Sequence, residues 1–454
     1  MASCFDQCNL LNLSPIDGRY HSITSNIKNY FSEYALMKFR LEVEIKYLLF
    51  FLNTVKELEN ISNENKVNIL NISQNFDLDD CKKIKEFEKR CNHDVKAVEY
   101  FIRDKLNAIN LSKLNPFIHF GLTSQDINNT AITRSLKLYI NNEYIPYVTQ
   151  IIKKINFHAN NWKTISMLSR THGQPAVPTT LGKEMRVFSY RLNKQLNILK
   201  KTEYYGKFGG AVGNLNAHYF AYPDYEWEEK LSEFLDSVLD LTRDEFTTQI
   251  DNYENLSTVF DCIRRINTIL IDMNRDIWHY ISLDYLKQSV KKEEVGSSTM
   301  PQKVNPINFE NSEGNLGIAN ALLDFLSNKL PVSRLQRDLT DSTILRNLGT
   351  IFGHITISYN NLMKGLNKIY PNKEIINYDL NNNFSILTEG IQTLLRKEGI
   401  ENAYEIVKDL SRGSDLTRDQ IIEFAEQLEN VSLDTREIIK SITPFNYLGN
   451  AMNF

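Results

Sequence analysis

The chain has 454 residues, 42% of them hydrophobic, so wholesale disorder is excluded and the length calls for two or three domains rather than one core. A formal net charge of −4 gives no global reason to expect nucleic acid or an anionic membrane as partner. The cysteines Cys4, Cys8, Cys81, Cys91 and Cys262 are sparse and odd in number, which reads as reduced thiols in a reducing compartment.

The opening stretch MASCFDQCNLLNLSPIDGRY lacks the basic-then-apolar plan of a secretion signal. The longest apolar run, YLLFFL at 47–52, is far too short to span a bilayer, so a soluble cytoplasmic protein with no membrane partner is expected. Cys4 and Cys8 have no Cys or His partner nearby in sequence, and no metal is expected there. Between 24 and 114 proline and glycine are scarce. Tyr30, Tyr34, Met37, Leu41 and Ile45 recur at three- and four-residue steps, which predicts helix. The charged, Asn/Lys-rich stretch 56–90 reads as exposed helices, and apolar spacing of the same kind marks 124–160, 180–203 and 311–328.

The strongest periodicity lies at 256–280. Leu256, Val259, Ile263, Ile266, Leu270, Met273, Ile277 and Tyr280 alternate steps of three and four, a heptad seam, and Phe260, Ile269, Ile271 and Trp278 widen it. This predicts a long helix in a central bundle shared between subunits. Alternating apolar and polar runs are rare, so little sheet is expected, and no solenoid-type repeat occurs. Composition shifts near 120 and 365–382 divide the chain into an N-terminal helical piece 1–120, a bundle piece 121–365 and a C-terminal helical piece 366–454. The expected class is all-α.

Polar motifs interrupt these helices: SPIDGRY (14–20), CNHDVKAVEY (91–100), GLTSQDINNT (121–130), SRTHGQPAVPTTLGKE (169–184), GSSTMPQKVNP (296–306) and KLPVSRLQRDLTDSTILRN (329–347). Gly173 and Pro175 beside His172 read as a helix-entry turn, where a histidine is more often satisfied structurally than catalytic. His93 stands between Asn92 and Asp94, but adjacency in sequence alone does not pair His93 with Asp94. No metal-ligand spacing joins the two histidines. In 296–306, Gly296 allows bending, while Lys303 and Asn305 flank a turn. That stretch is either a solvated connection or a mobile segment that closes over substrate; the GxxxxGK[ST] phosphate loop is absent. A serine base there would need nearby cations and N–H donors.

GSSTMPQKVNP resembles the signature loop of the fumarase/aspartase superfamily, whose members eliminate fumarate from succinyl-bearing substrates. SPIDGRY, NHDVKAVEY, LTSQDINNTA, THGQPAVPTTLGKE, NPINFENSEGNLG and LPVSRLQRDLTDSTILRNLG are similar, within it, to the adenylosuccinate lyase family of the bacterial type. The resemblance runs in order from about residue 13 to 365, with weaker motifs beyond.

It implies an all-α, fumarase/aspartase-like fold and a homotetramer whose active sites are each built from three subunits. It also implies cleavage of adenylosuccinate to AMP and fumarate, and of succinylaminoimidazole carboxamide ribotide (SAICAR) to AICAR and fumarate, with no cofactor. By motif position, Ser297 would be the general base, His172 the general acid, and His93 a second histidine orienting substrate or His172. Lys303 and Asn305 would stabilise the succinyl carboxylates, with Ser298, Thr123 and Ser124 bonding the same end. Arg19, Tyr20, Arg337, Ser342 and Arg346 resemble phosphate contacts, and Asn92, Asp94, Gln249 and Asn311 would position the substrate. Gln302 departs from the pattern, where histidine is expected in many relatives. The run KKEE at 291–294 reads as a solvated helix end.

Rival readings are argininosuccinate lyase, fumarase or aspartase chemistry, a non-catalytic structural relative, or a nucleotide-sensing scaffold. The arginines at 19 and 337–346 favour a nucleotide over a small acid.

Overall fold

The computed structural model describes residues 11–58, 61–289, 300, 302–411 and 416–454. The architecture is helical, as expected. The main helices are α1 (Glu33–Thr54), α2 (Asn63–Gln74), α3 (Leu78–Cys91), α4 (Asp94–Ala108), α5 (Ser124–Tyr139), α6 (Ile145–Asn161), α7 (Leu181–Leu199), α8 (Glu254–Ser282), α9 (Ile307–Lys329) and α10 (Leu348–Lys368). The shorter helices α11 (Lys373–Asn381), α12 (Thr388–Lys397), α13 (Ala403–Ser411), α14 (Arg418–Gln427) and α15 (Leu433–Ser441) follow. Two compact units share these elements. One comprises 1–148, 195–268 and 314–360; the other comprises 149–194, 269–313 and 361–454.

In the first unit, polar caps set the helix ends. Ser32 accepts from the Ala35 N–H at the start of α1, and Asp77 accepts from Asp79 and Asp80 at the start of α3. Asn92 ends α3 in the left-handed region, at φ 51°, and His93 immediately caps α4, so the corner between two helices presents Asn92, His93 and Asp94 together. Thr123 and Asp126 form a reciprocal capping box at the start of α5. Leu41, Ile45, Leu48, Val98, Phe101 and Leu106 pack in the apolar core that α1 shares with its neighbours. The seam residues Leu256, Val259, Ile263 and Ile266 of α8 are buried, as their heptad spacing predicted. Beside them a buried polar thread crosses the bundle: Tyr144 to Tyr359 at 3.0 Å, Tyr359 to Asn267 at 3.1 Å, and Asn267 to Asn320 at 3.0 Å.

The second unit carries its own polar ties, Asn274 to Ser312 (2.9 Å) and Asn361 to Asn311 (2.8 Å). Among the described residues it holds two antiparallel strand pairs, Leu286–Gln288 with Ile369–Pro371, and a hairpin of β1 (Ser166–Thr171) with β2 (Gln174–Thr180). This corrects the reading of His172 as a helix-entry turn. His172 (φ 53°) and Gly173 (φ 75°) form the two-residue tip of a hairpin, and α7 begins only at Leu181. Both tip residues have positive φ, the requirement of the type I′ turn whose twist matches the strands. Pro175, which with Gly173 suggested a helix entry, sits with Pro178 in β2, whose strand partner among the described residues is β1. The charge run 291–294 lies outside the described residues; α8 before it ends at Ser282, and the strand Leu286–Gln288 intervenes.

Candidate active site

The corner between α3 and α4, the start of α5, and the segment 337–346 enclose a cavity of about 340 Å³ in the first unit. Its walls are Glu88, Asn92, His93, Asp94, Ser124, Asn128, Arg337, Leu339, Ser342, Thr343 and Arg346. Seven of the residues singled out in the sequence thus meet in one place.

His93 Nδ1 accepts the Lys96 N–H at 3.1 Å, so the neutral ring carries its proton on Nε2, which lies 3.5 Å from the Ser124 hydroxyl. Asp94 does not orient this histidine: the nearest approach is 4.0 Å. Its Oδ2 instead accepts from Arg40 Nη2 at 2.6 Å and from Arg346 Nη2 at 3.0 Å. Desolvation works to raise the Asp94 carboxyl, but Arg40, then the Val95 N–H and then Arg346 outweigh it and hold it below the usual carboxylate range.

Arg337 is braced from both sides, by Gln249 Oε1 and by the Ser342 hydroxyl, at 3.3 and 3.2 Å. Gln249 in turn donates to the Ala211 carbonyl at 2.9 Å. Arg346 Nη1 donates to the Ser342 carbonyl at 2.8 Å, and its half-exposed head borders a second cavity with Ser14, Asp17, Lys28, Gly349 and Thr350. Arg19 and Tyr20 belong to that segment of chain. The Arg19 guanidinium lies over the Tyr20 ring, 5.8 Å from its centre, and neither residue lines the His93 cavity.

Behind the walls lies a buried polar scaffold that the sequence reading passed over. Lys207 donates to Asp126 Oδ1 at 2.7 Å, and both side chains are fully buried. Asp126 also accepts from the backbone N–H groups of Thr123, Gly209 and Gly210. Burial pushes the Lys207 ammonium below its ordinary value against the pull of Asp126. Gln125 donates to Asp341 (3.1 Å) and Ser342 (3.2 Å), and Tyr253 donates to Asp341 (2.9 Å). The available signals were the glycines of KFGGAVGN at 207–214 and the charges alternating with apolar residues in MKFRLEVEI at 37–45.

His172, Lys303, Asn305 and Asn311 belong to the second unit. His172 is exposed at the hairpin tip. Lys303 is also exposed, its N–H bonded to the Met300 carbonyl at 3.0 Å, and Gln302 beside it is exposed. Asn305 is half-buried, and Asn311 accepts from Asn361. Ser297 and Ser298 lie outside the described residues. Among the described residues no group of three or more His, Cys, Asp or Glu side chains could hold a metal ion, and no helix is long and apolar enough to cross a membrane.

A family model described as lyase matches residues 18–320, and one described as adenylosuccinate lyase C-terminal matches 333–448. In fold the chain resembles a fumarate lyase from Mesorhizobium sp. BNC1 (TM-score 0.74, 15% identity, covering 94% of this chain and 96% of that one). It also resembles a 3-carboxy-cis,cis-muconate lactonizing enzyme from Pseudomonas putida (TM-score 0.73, 17% identity, 94% of each chain). These likenesses define a lyase of the fumarase/aspartase fold. Sequence relatives narrow the class. Proteins named adenylosuccinate lyase are 48% identical in Dictyostelium discoideum, with 98% of each chain covered, and 44% identical in Escherichia coli K12, with 98% of this chain and 97% of that one covered. The chain belongs to the adenylosuccinate lyase family. The C-terminal match also carries the resemblance past residue 365, where the motifs had weakened.

Proposed function

We propose that the chain splits adenylosuccinate into AMP and fumarate, and SAICAR into AICAR and fumarate. The observation that carries this reading, alongside the family, is the convergence of Arg337, Arg346, Ser342, His93 and Ser124 on one cavity. Two guanidinium groups and a hydroxyl suit a phosphate, because arginine donates in a fork that matches the anion. A guanidinium fork also suits a carboxylate, so it is the two arginines together with the family that favour a nucleotide over the substrates of argininosuccinate lyase, fumarase or aspartase.

The reaction is a β-elimination. Ser297, as general base, removes the proton from the carbon next to a carboxylate, leaving a doubly charged aci-carboxylate. Lys303, Asn305, Ser298 and Thr123 stabilise that charge. The C–N bond then breaks and His172, as general acid, protonates the departing nitrogen. His93, its proton held at Nε2 by the cap on Nδ1, orients the substrate with Asn92, Asp94 and Ser124. Arg19, Tyr20, Arg337, Ser342 and Arg346 hold the phosphate, and Gln249 and Asn311 complete the positioning.

The working form is a cytoplasmic homotetramer in which each site draws on three subunits and needs no cofactor. We retain 1–120, 121–365 and 366–454 as domain boundaries, which limited proteolysis would test by early cleavage near 120 and 365.

The test is fumarate release by the purified protein, with adenylosuccinate and argininosuccinate offered separately and Ser297→Ala as control. Turnover of adenylosuccinate alone, lost in the variant, is the expected result. No fumarate from either substrate overturns the reading, and bound AMP without fumarate would leave a sensing scaffold.

A further inference from the structure

Helix α1 buries apolar residues such as Met37, Leu41, Ile45 and Leu48, yet a polar stripe runs along it as well. Arg40, Glu44 and Tyr47 follow one another at steps of four and three, so they share one face of the helix, and all three are buried. Each reaches a different neighbouring element. Glu44 pairs with His119 at 2.6 Å. Tyr47 donates to the Phe120 carbonyl at 2.8 Å and contacts His218 Nε2 at 2.7 Å. Arg40 donates to Asn128 Oδ1 at 2.7 Å through Nε and to Asp94 Oδ2 at 2.6 Å through Nη2.

We propose that Arg40 is a positioning residue for the phosphate end of the candidate site, acting through Asp94 on Arg346. The proposal rests on the reading that Arg346 holds the nucleotide phosphate. One carboxylate oxygen, Asp94 Oδ2, accepts from both arginines. Arg40 is 4% exposed and is absent from the walls of the His93 cavity, although it borders a neighbouring cavity with Asp94 and Arg346, whereas Arg346 is 51% exposed and lines the His93 cavity. Two guanidinium groups share the Asp94 carboxylate, so Arg346 does not carry that negative charge alone, even with Glu88 in the same wall. Without Arg40, Asp94 and Arg346 would form a neutral pair. The carboxylate would draw the Arg346 guanidinium inward, and an arriving anion would meet a weaker field, with Arg337 the remaining guanidinium of the cavity. Asn128, which also lines the cavity, would lose the donor that fixes its amide. A purely structural role explains the geometry less well, because a buried ion pair gives little net stability over well-packed apolar residues.

The experiment uses the full-length enzyme and measures KM, kcat and the inhibition constants of AMP and of fumarate for Arg40→Gln, Arg346→Gln and the double variant. AMP carries a phosphate and fumarate does not. Arg40→Gln is expected to raise KM and the AMP constant about tenfold, with kcat changed less than threefold and the fumarate constant unchanged. The double variant is expected to bind AMP about as weakly as Arg346→Gln alone, because Arg40 acts through that residue. Equal weakening of AMP and fumarate, an unchanged AMP constant, or additive effects in the double variant would each overturn the proposal. If Arg346→Gln itself leaves AMP binding intact, the phosphate reading has failed and this inference falls with it. If only Arg40→Gln leaves it intact, the phosphate reading stands and this inference alone falls. Should Arg40→Gln not fold, Arg40→Lys takes its place. It keeps the charge but cannot serve Asp94 and Asn128 together, so AMP should weaken about threefold with fumarate unchanged, and a wild-type AMP constant counts against the proposal.

Discussion

The buried pair of Glu44 and His119 makes stability depend on pH in a way that can be worked out. His119 lies on the segment that leads into Thr123 and Ser124, at φ 58°, and its Nδ1 is 2.6 Å from Glu44 Oε1. Desolvation pulls the imidazole down, but Glu44, with Glu99 and Asp126 further off, outweighs it and raises it from 6.5 to about 9. At about 1.4 kcal/mol for each tenfold, the charged pair contributes on the order of 3 kcal/mol. Because the folded value lies above the unfolded one, that contribution is fully present below pH 6.5 and is lost as pH rises through about 9. The perturbation to make is the double variant Glu44→Gln, His119→Gln. Replacing the histidine alone would leave a buried carboxylate to titrate in its place. Urea unfolding of both proteins at one concentration, from pH 6 to pH 10, gives the difference curve. Wild type should exceed the variant by about 3 kcal/mol more at pH 6 than at pH 10, with the fall between 6.5 and 9. A flat difference curve would refute the assignment of a charged imidazole at this position.

Three further results are expected. Lys207→Met should strand the fully buried Asp126 carboxylate and lower stability by about 3–5 kcal/mol, read as a drop in Tm, and adding Asp126→Asn should recover part of it. Gly213→Ala should cost about 1–3 kcal/mol, since φ is +82° and a Cβ there would meet the Thr247 carbonyl; because the neighbouring Ala211 carbonyl holds Gln249, KM should rise as well. Mixing inactive His93→Ala subunits with inactive Ser297→Ala subunits should restore fumarate release if sites are shared between subunits, and no recovery would mean that each subunit carries a complete site.

Most of the helices were legible because their signal is local. Spacings of three and four in Tyr30–Ile45 and Leu256–Tyr280 state which face is apolar, and that face has to be buried whatever packs on it. The motifs at 91–100, 121–130 and 329–347 were legible too, as polar interruptions that helix stability does not call for. The tip of the β1–β2 hairpin was misread because its type I′ geometry places His172, a residue with a Cβ, at positive φ beside Gly173, and local composition does not announce that.

The chain's own order thus determined the class, the long helices and most of the residues that line the candidate site. Tertiary structure alone decided what those residues do to one another. Asp94 meets Arg40 across 54 positions and Arg346 across 252, and Lys207 meets Asp126 across 81. Partners at such separations leave no periodic trace, because a buried charge is tolerated only where folding delivers its counter-charge. Arg40 therefore reads in sequence as one of several charges, beside Lys38, Glu42, Glu44 and Lys46, and only the fold shows which of them are buried and which carboxylate Arg40 holds.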